Sequence, residues 1–163
     1  MPKIRYETIA TIDMETKFTG EITPVPTVLI YIMTPLELKV ITTIMQETYL
    51  NGRCLMTMKE MSIRFNCTYA AVQTVLSNLR RRSILLEEPS GNGGSGKNRM
   101  LNFKAIQHIN DLVQGEDPGV YARIKSIIIR RDILTLTKED IRKGYDNKVL
   151  PPGHDPVEEE EYD

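Results

Sequence analysis

The chain has 163 residues, 40% of them hydrophobic, and a formal net charge of −1. That is enough for one packed core, and no apolar run approaches the roughly 20 residues that cross a bilayer, so no membrane partner is expected. The start, Met1-Pro2-Lys3-Ile4-Arg5-Tyr6-Glu7, lacks the apolar centre of a secretory signal, which points to a cytoplasmic protein.

Residues 1–26 read as an extended N-terminal β arm, with β-favouring runs at 8–13 and 21–25 around Thr19-Gly20. A hairpin and a partly ordered terminus both suit that pattern. Thr34-Pro35-Leu36-Glu37 then combines a capping threonine, a proline at the first helical position and a glutamate at the third, so a helix is predicted from there to about Tyr49. Asn51-Gly52 stops it. Residues 53–56 read as a short strand. Thr57-Met58-Lys59-Glu60 is a second capping box, Asn66-Cys67 breaks the helix it opens, and Thr68 caps another at Tyr69.

That last helix has two faces. Val72, Val75, Leu76 and Leu79 recur at helical spacing and form its apolar side. At about 100° per residue, Ala70, Thr74, Ser77 and Arg81 point away from it, flanked by Gln73 and Asn78. Ile84-Leu85-Leu86-Glu87-Glu88 reads as a strand, residues 89–98 as a glycine-rich tip and residues 99–103 as the return strand.

A helix over residues 104–114 follows, with Gly115 beyond its end, and another starts at Pro118. Three consecutive isoleucines at 127–129 exceed what one exposed helix hides, so part of that run is expected to be buried against the domain or against another chain, and Val120, Ile124, Ile127 and Ile128 are the candidates for a homodimer contact. Thr137 with Asp140 caps a short helix ending near Gly144. The domain plan is therefore an arm (1–26), a central domain (27–114), a helical extension (118–145) and an acidic tail (146–163).

The net charge conceals a strong asymmetry. Residues 155–163 hold six acids and no base, whereas residues 53–104 hold nine bases against three acids, or +6. On a tether, the six acids either keep the chain soluble or compete with nucleic acid for that basic segment.

The order of elements over residues 8–110 resembles winged-helix replication initiators of plasmids and phages. Ile12-Asp13-Met14-Glu15-Thr16 with Thr19-Gly20-Glu21-Ile22 is similar to their β arm, and Thr34-Pro35-Leu36-Glu37-Leu38-Lys39-Val40 to their first helix. Met58-Lys59-Glu60-Met61-Ser62 through Val75-Leu76-Ser77-Asn78-Leu79 is similar to their helix-turn-helix, and Leu101-Asn102-Phe103 to their exit from the wing. Asn66-Cys67 stands where that turn often has a glycine. The resemblance implies a mainly α fold with a small antiparallel β-sheet, a winged helix-turn-helix with an N-terminal β arm and C-terminal helices. It also implies sequence-specific binding of double-stranded DNA, for replication initiation or transcription regulation of a phage, plasmid or bacterial replicon. Replication or transcription machinery would be a further partner.

The DNA-contacting candidates are Lys59 and Arg64 before the turn, Thr68 and Tyr69 at the helix start, and Ala70, Gln73, Thr74 and Ser77 on the outward face. Arg80 and Arg81 at the helix end, and Lys97 and Arg99 on the hairpin, are candidates for phosphate. The arginine triplet Arg80-Arg81-Arg82 equally suits the negative end of a helix dipole. A protein-gripping structural module is the rival from another class.

No enzyme is expected, and no cofactor or metal. Gly91, Gly96 and Lys97 fit part of a phosphate-binding loop, but Asn98 lacks the hydroxyl for magnesium and a strand follows instead of a helix. Cys54 and Cys67 read as free thiols, remote from His108 and His154, without zinc spacing.

Overall fold

The computed structural model describes residues 23–90 and 96–146. Along the chain these form α1 (Thr27–Ile32), α2 (Pro35–Asn51), α3 (Met58–Phe65), α4 (Tyr69–Arg81), β1 (Leu85–Pro89) and β2 (Lys97–Leu101). Then come α5 (Phe103–Val113), α6 (Val120–Ile127), a 3-10 turn (Ile133–Thr135) and α7 (Lys138–Asp146). The described chain is mainly helical with one two-stranded antiparallel sheet. Most of the expected arm, the hairpin tip and the acidic tail lie outside the described residues, and residues 23–26 carry no regular structure.

The helix starts form where the caps predict them. At α2, Thr34 Oγ1 accepts from Glu37 N at 3.2 Å and Thr34 N donates to Glu37 Oε1 at 2.8 Å, the reciprocal pair of a capping box. Thr57, Thr68 and Thr137 each accept from the backbone N–H three residues on. α2 buries Val40, Ile41, Ile44 and Met45 and sits at the centre of the core.

Leu85 pairs with Leu101 and Glu87 with Arg99 across the hairpin. The short strand expected at 53–56 is a single bridge: Arg99 N donates to Cys54 O at 3.0 Å, and Cys54 N donates to Asn98 Oδ1 at 3.1 Å. The return strand ends at Leu101, two residues earlier than expected: Asn102 N still donates to Ile84 O at 2.8 Å in register with the hairpin, while Asn102 O accepts from Ala105 N and Ile106 N as the cap of α5, which begins at Phe103.

The C-terminal helices join the same core. Val120, Ile124, Ile128, Ile133, Leu136 and Ile141 are buried in one continuous cluster with α2, α4 and α5. Part of the isoleucine run is buried against the domain, which corrects the expectation that these residues form a dimer contact. Val120, Ile124 and Ile128 lie inside the chain, Ile127 is half-buried and packs against them, and Ile129 is exposed. The physical reason is α1, whose Val28, Leu29 and Ile32 are buried and which packs along α6, with Tyr31 and Tyr121 rings 4.8 Å apart. Helix α6 also ends at Ile127, so the isoleucine run is split among three directions.

Candidate nucleic-acid interface

Helices α3 and α4 meet at a turn held by backbone bonds. Cys67 N donates to Ser62 O at 3.0 Å and Asn66 N to Ile63 O at 3.2 Å, the pattern that closes a helix through a left-handed residue. Asn66 takes that residue's place at φ 52°, a conformation asparagine tolerates better than other side chains, so the absence of glycine is accommodated. The far end of α4 repeats the device: Ile84 N donates to Leu79 O and Ser83 N to Arg80 O, with Ser83 at φ 66°.

Between these two stops, α4 divides as its pattern predicts. Val72, Val75, Leu76 and Leu79 are buried. Ala70, Gln73, Thr74 and Ser77 are exposed on the opposite side, and Thr68 and Tyr69 are exposed at the helix start. From Thr68 through Asn78 there is no charged side chain.

The cations around this strip fall into two groups. Lys59 on α3 is exposed, and Arg64 stays at the surface while Nη2 donates to Gln46 Oε1 at 2.7 Å. Lys97 on β2 is also exposed, with its Nζ 3.8 Å from Glu87. These three side chains remain at the surface. Arg99 does not, which corrects the expectation for it: it is 6% exposed, donates from Nε to Glu87 Oε2 at 2.8 Å and from Nη1 to Met56 O at 3.0 Å. A guanidinium opposite a carboxylate in cross-strand register is drawn into the sheet instead of facing outward.

The arginine triplet is likewise engaged inside the chain. Arg80 donates to Glu87 Oε1. Arg81 donates from Nη2 to Asn78 Oδ1 at 3.1 Å and to Ile129 O at 3.0 Å, although its side chain is otherwise exposed. Arg82 is buried and pairs through Nη1 with Glu37 Oε2 at 2.7 Å. The Glu37–Arg82 pair carries no local sequence signal, because the partners lie 45 residues apart and Glu37 also serves as a cap.

Glu87 is the electrostatic centre of the hairpin. Its partial removal from water pushes the carboxyl pKa up, but the Arg80 hydrogen bond and the charges of Arg80, Arg99 and Lys97 outweigh that and hold it below its ordinary value. Burial pushes the Cys54 thiol up, so Cys54 is a protonated structural thiol.

One exposed residue carries a signal that helical periodicity does not flag as functional: Ile63 on α3 is 72% exposed, beside a turn that also leaves Tyr69 49% exposed. A shallow groove of about 470 Å³ runs beside α2 and α3, lined by Lys39, Thr42, Gln46, Arg64 and Phe65 among others. Among the described residues, no group of three or more His, Cys, Asp or Glu is placed to hold a metal ion, and no helix is long and apolar enough to cross a membrane. His108 is half-buried, and its Nε2 lies 2.7 Å from Leu136 O, tying α5 to the 3-10 turn. No protein-family model, curated protein or solved structure matches this chain.

Proposed function

We propose that this chain binds double-stranded DNA through a winged helix-turn-helix, with α4 in the major groove and the β1–β2 hairpin beside the backbone. The observation that carries this reading is the outward face of α4. An exposed strip of mostly small and polar side chains, free of charge from Thr68 to Asn78, is preceded along the chain by exposed cations on α3 (Lys59, Arg64) and followed by one on the hairpin (Lys97). Short uncharged side chains let a helix sit deep in a groove, while cations at its margins neutralise the phosphates that wall it. Replication initiation or transcription regulation of a phage, plasmid or bacterial replicon is the use such a module would serve.

Titration of the intact chain with random duplex at a series of salt concentrations tests the reading. With the three surface cations each meeting a phosphate, log affinity falls with log salt at a slope of about −3. A flat salt dependence, or no duplex retained at low salt, contradicts it.

One observation favours a second reading. Ile63 at 72% and Tyr69 at 49% exposure place apolar surface on both sides of the α3–α4 turn, as a module gripping another protein would. Replacing Ile63 with serine separates the two. On the DNA reading, duplex affinity changes little; on the protein reading, Ile63 is a central anchor.

A further inference from the structure

We infer that the base pairs lying under the first turns of α4 are A·T pairs, with Gln73 reading an adenine. This rests on the proposed binding of duplex DNA. In the major groove guanine offers two acceptors, and arginine or lysine is the side chain that takes both; cytosine offers an amino donor, which a carboxylate takes. The exposed strip of α4 has neither kind of group, because no residue from Thr68 to Asn78 is charged. The nearest arginines lie past the strip, where Arg80 donates to Glu87, Arg81 to the Ile129 carbonyl and Arg82, buried, to Glu37. Lys59 and Arg64 are on α3, the helix that crosses the backbone in this docking geometry, so they carry position and not sequence.

What the strip does offer matches the other pair. The Gln73 amide presents one donor and one acceptor, the complement of adenine N7 and its amino group. Ala70 and Thr74, one helical turn apart and both exposed, present methyl groups, the complement of the thymine methyl. Ser77 lies one turn beyond Gln73 and hydrogen-bonds either kind of pair. At 1.5 Å per residue, the stretch from Ala70 to Ser77 covers roughly 10 Å, or about three base pairs at 3.4 Å each. Within that reach a G·C pair meets neither the bidentate cation nor the carboxylate that would specify it, and its polar edge would face methyl groups.

The test is selection from a duplex pool with a randomised core, using the intact chain at low salt and sequencing the retained fraction. The expected result is an A·T core of about three pairs, with adenine preferred over guanine by about tenfold at one position. Gln73→Arg then moves that one position to guanine and leaves its neighbours unchanged, which a preference based on DNA shape would not do. Replacing dT by deoxyuridine in the selected core removes only the methyl groups and weakens binding, and Thr74→Ser shrinks that difference. A G·C core, or a Gln73→Arg profile identical to the wild type, overturns the inference while duplex binding stands. If no duplex is retained at low salt, both the inference and the reading beneath it fail.

Discussion

The two ends of α4 differ in chemistry and in what the fold does with it. The first turns carry no charge and leave Thr68, Tyr69, Ala70, Gln73, Thr74 and Ser77 at the surface. The last turn and its cap carry Arg80, Arg81 and Arg82, and each donates to a partner within the chain: Glu87, the Ile129 carbonyl and Glu37. The end that looks electrostatically suited to DNA is the end that holds the protein together. A cluster of cations marks a phosphate site only after the acids and carbonyls of the same chain have taken the donors they need.

The largest effect that sharpens this contrast is on Arg82. Arg82→Ala leaves Glu37 charged and buried, and stability in urea unfolding is expected to drop by about 3–5 kcal/mol. Duplex affinity per folded molecule stays unchanged. A loss under about 1 kcal/mol would place the Arg82 pair among ordinary surface ion pairs and blunt the contrast.

Glu87 comes next, because three cations converge on it. Glu87→Gln is expected to cost about 1–3 kcal/mol, since hydrogen bonds to a charged group become neutral ones. The pH dependence has a defined sign. The folded pKa is depressed, so the Glu87 contribution is fully present above the ordinary value of 4.5 and drains away as pH falls through the folded pKa below it. The stability gap between wild type and Glu87→Gln therefore holds steady at neutral pH and closes in acid. A gap that is already closing at neutral pH would contradict the depressed pKa.

The smallest effect is a gain. Ser83 closes the arginine end of α4 at φ 66°, a backbone region in which a side chain costs about 1 kcal/mol relative to glycine. Ser83→Gly is expected to raise the thermal midpoint by several degrees, as about 1 kcal/mol does in a domain of this size. The same change at Asn66 yields less, because asparagine already suits that conformation.

Local chemistry was the legible part of this chain. Thr34-Pro35-Leu36-Glu37, Thr57, Thr68 and the Thr137–Asp140 pair each fix a helix start through atoms three residues apart, and each was found in place. The exposed strip of α4 follows from a single period and was legible for the same reason. What escaped depends on distant partners. Helix α1, Thr-Val-Leu-Ile-Tyr-Ile, is rich in β-branched residues, has no side-chain cap bond and is held by packing on α5 and α6. Without it, the isoleucines of α6 looked uncovered and suggested a second copy of the chain. Arg99 was assigned outward because its strand register against Glu87, and the bridge to Cys54, arise only when the hairpin closes.

The most direct test of the account is to follow the backbone amide resonances of the intact chain while adding a short duplex at low salt. The account predicts shifts concentrated at residues 59–64, at 68–77 and near Lys97, with the amides of Arg82, Ile124 and Ile133 unmoved. Shifts centred on α1 and α6, or none on α4 at saturating duplex, would contradict it.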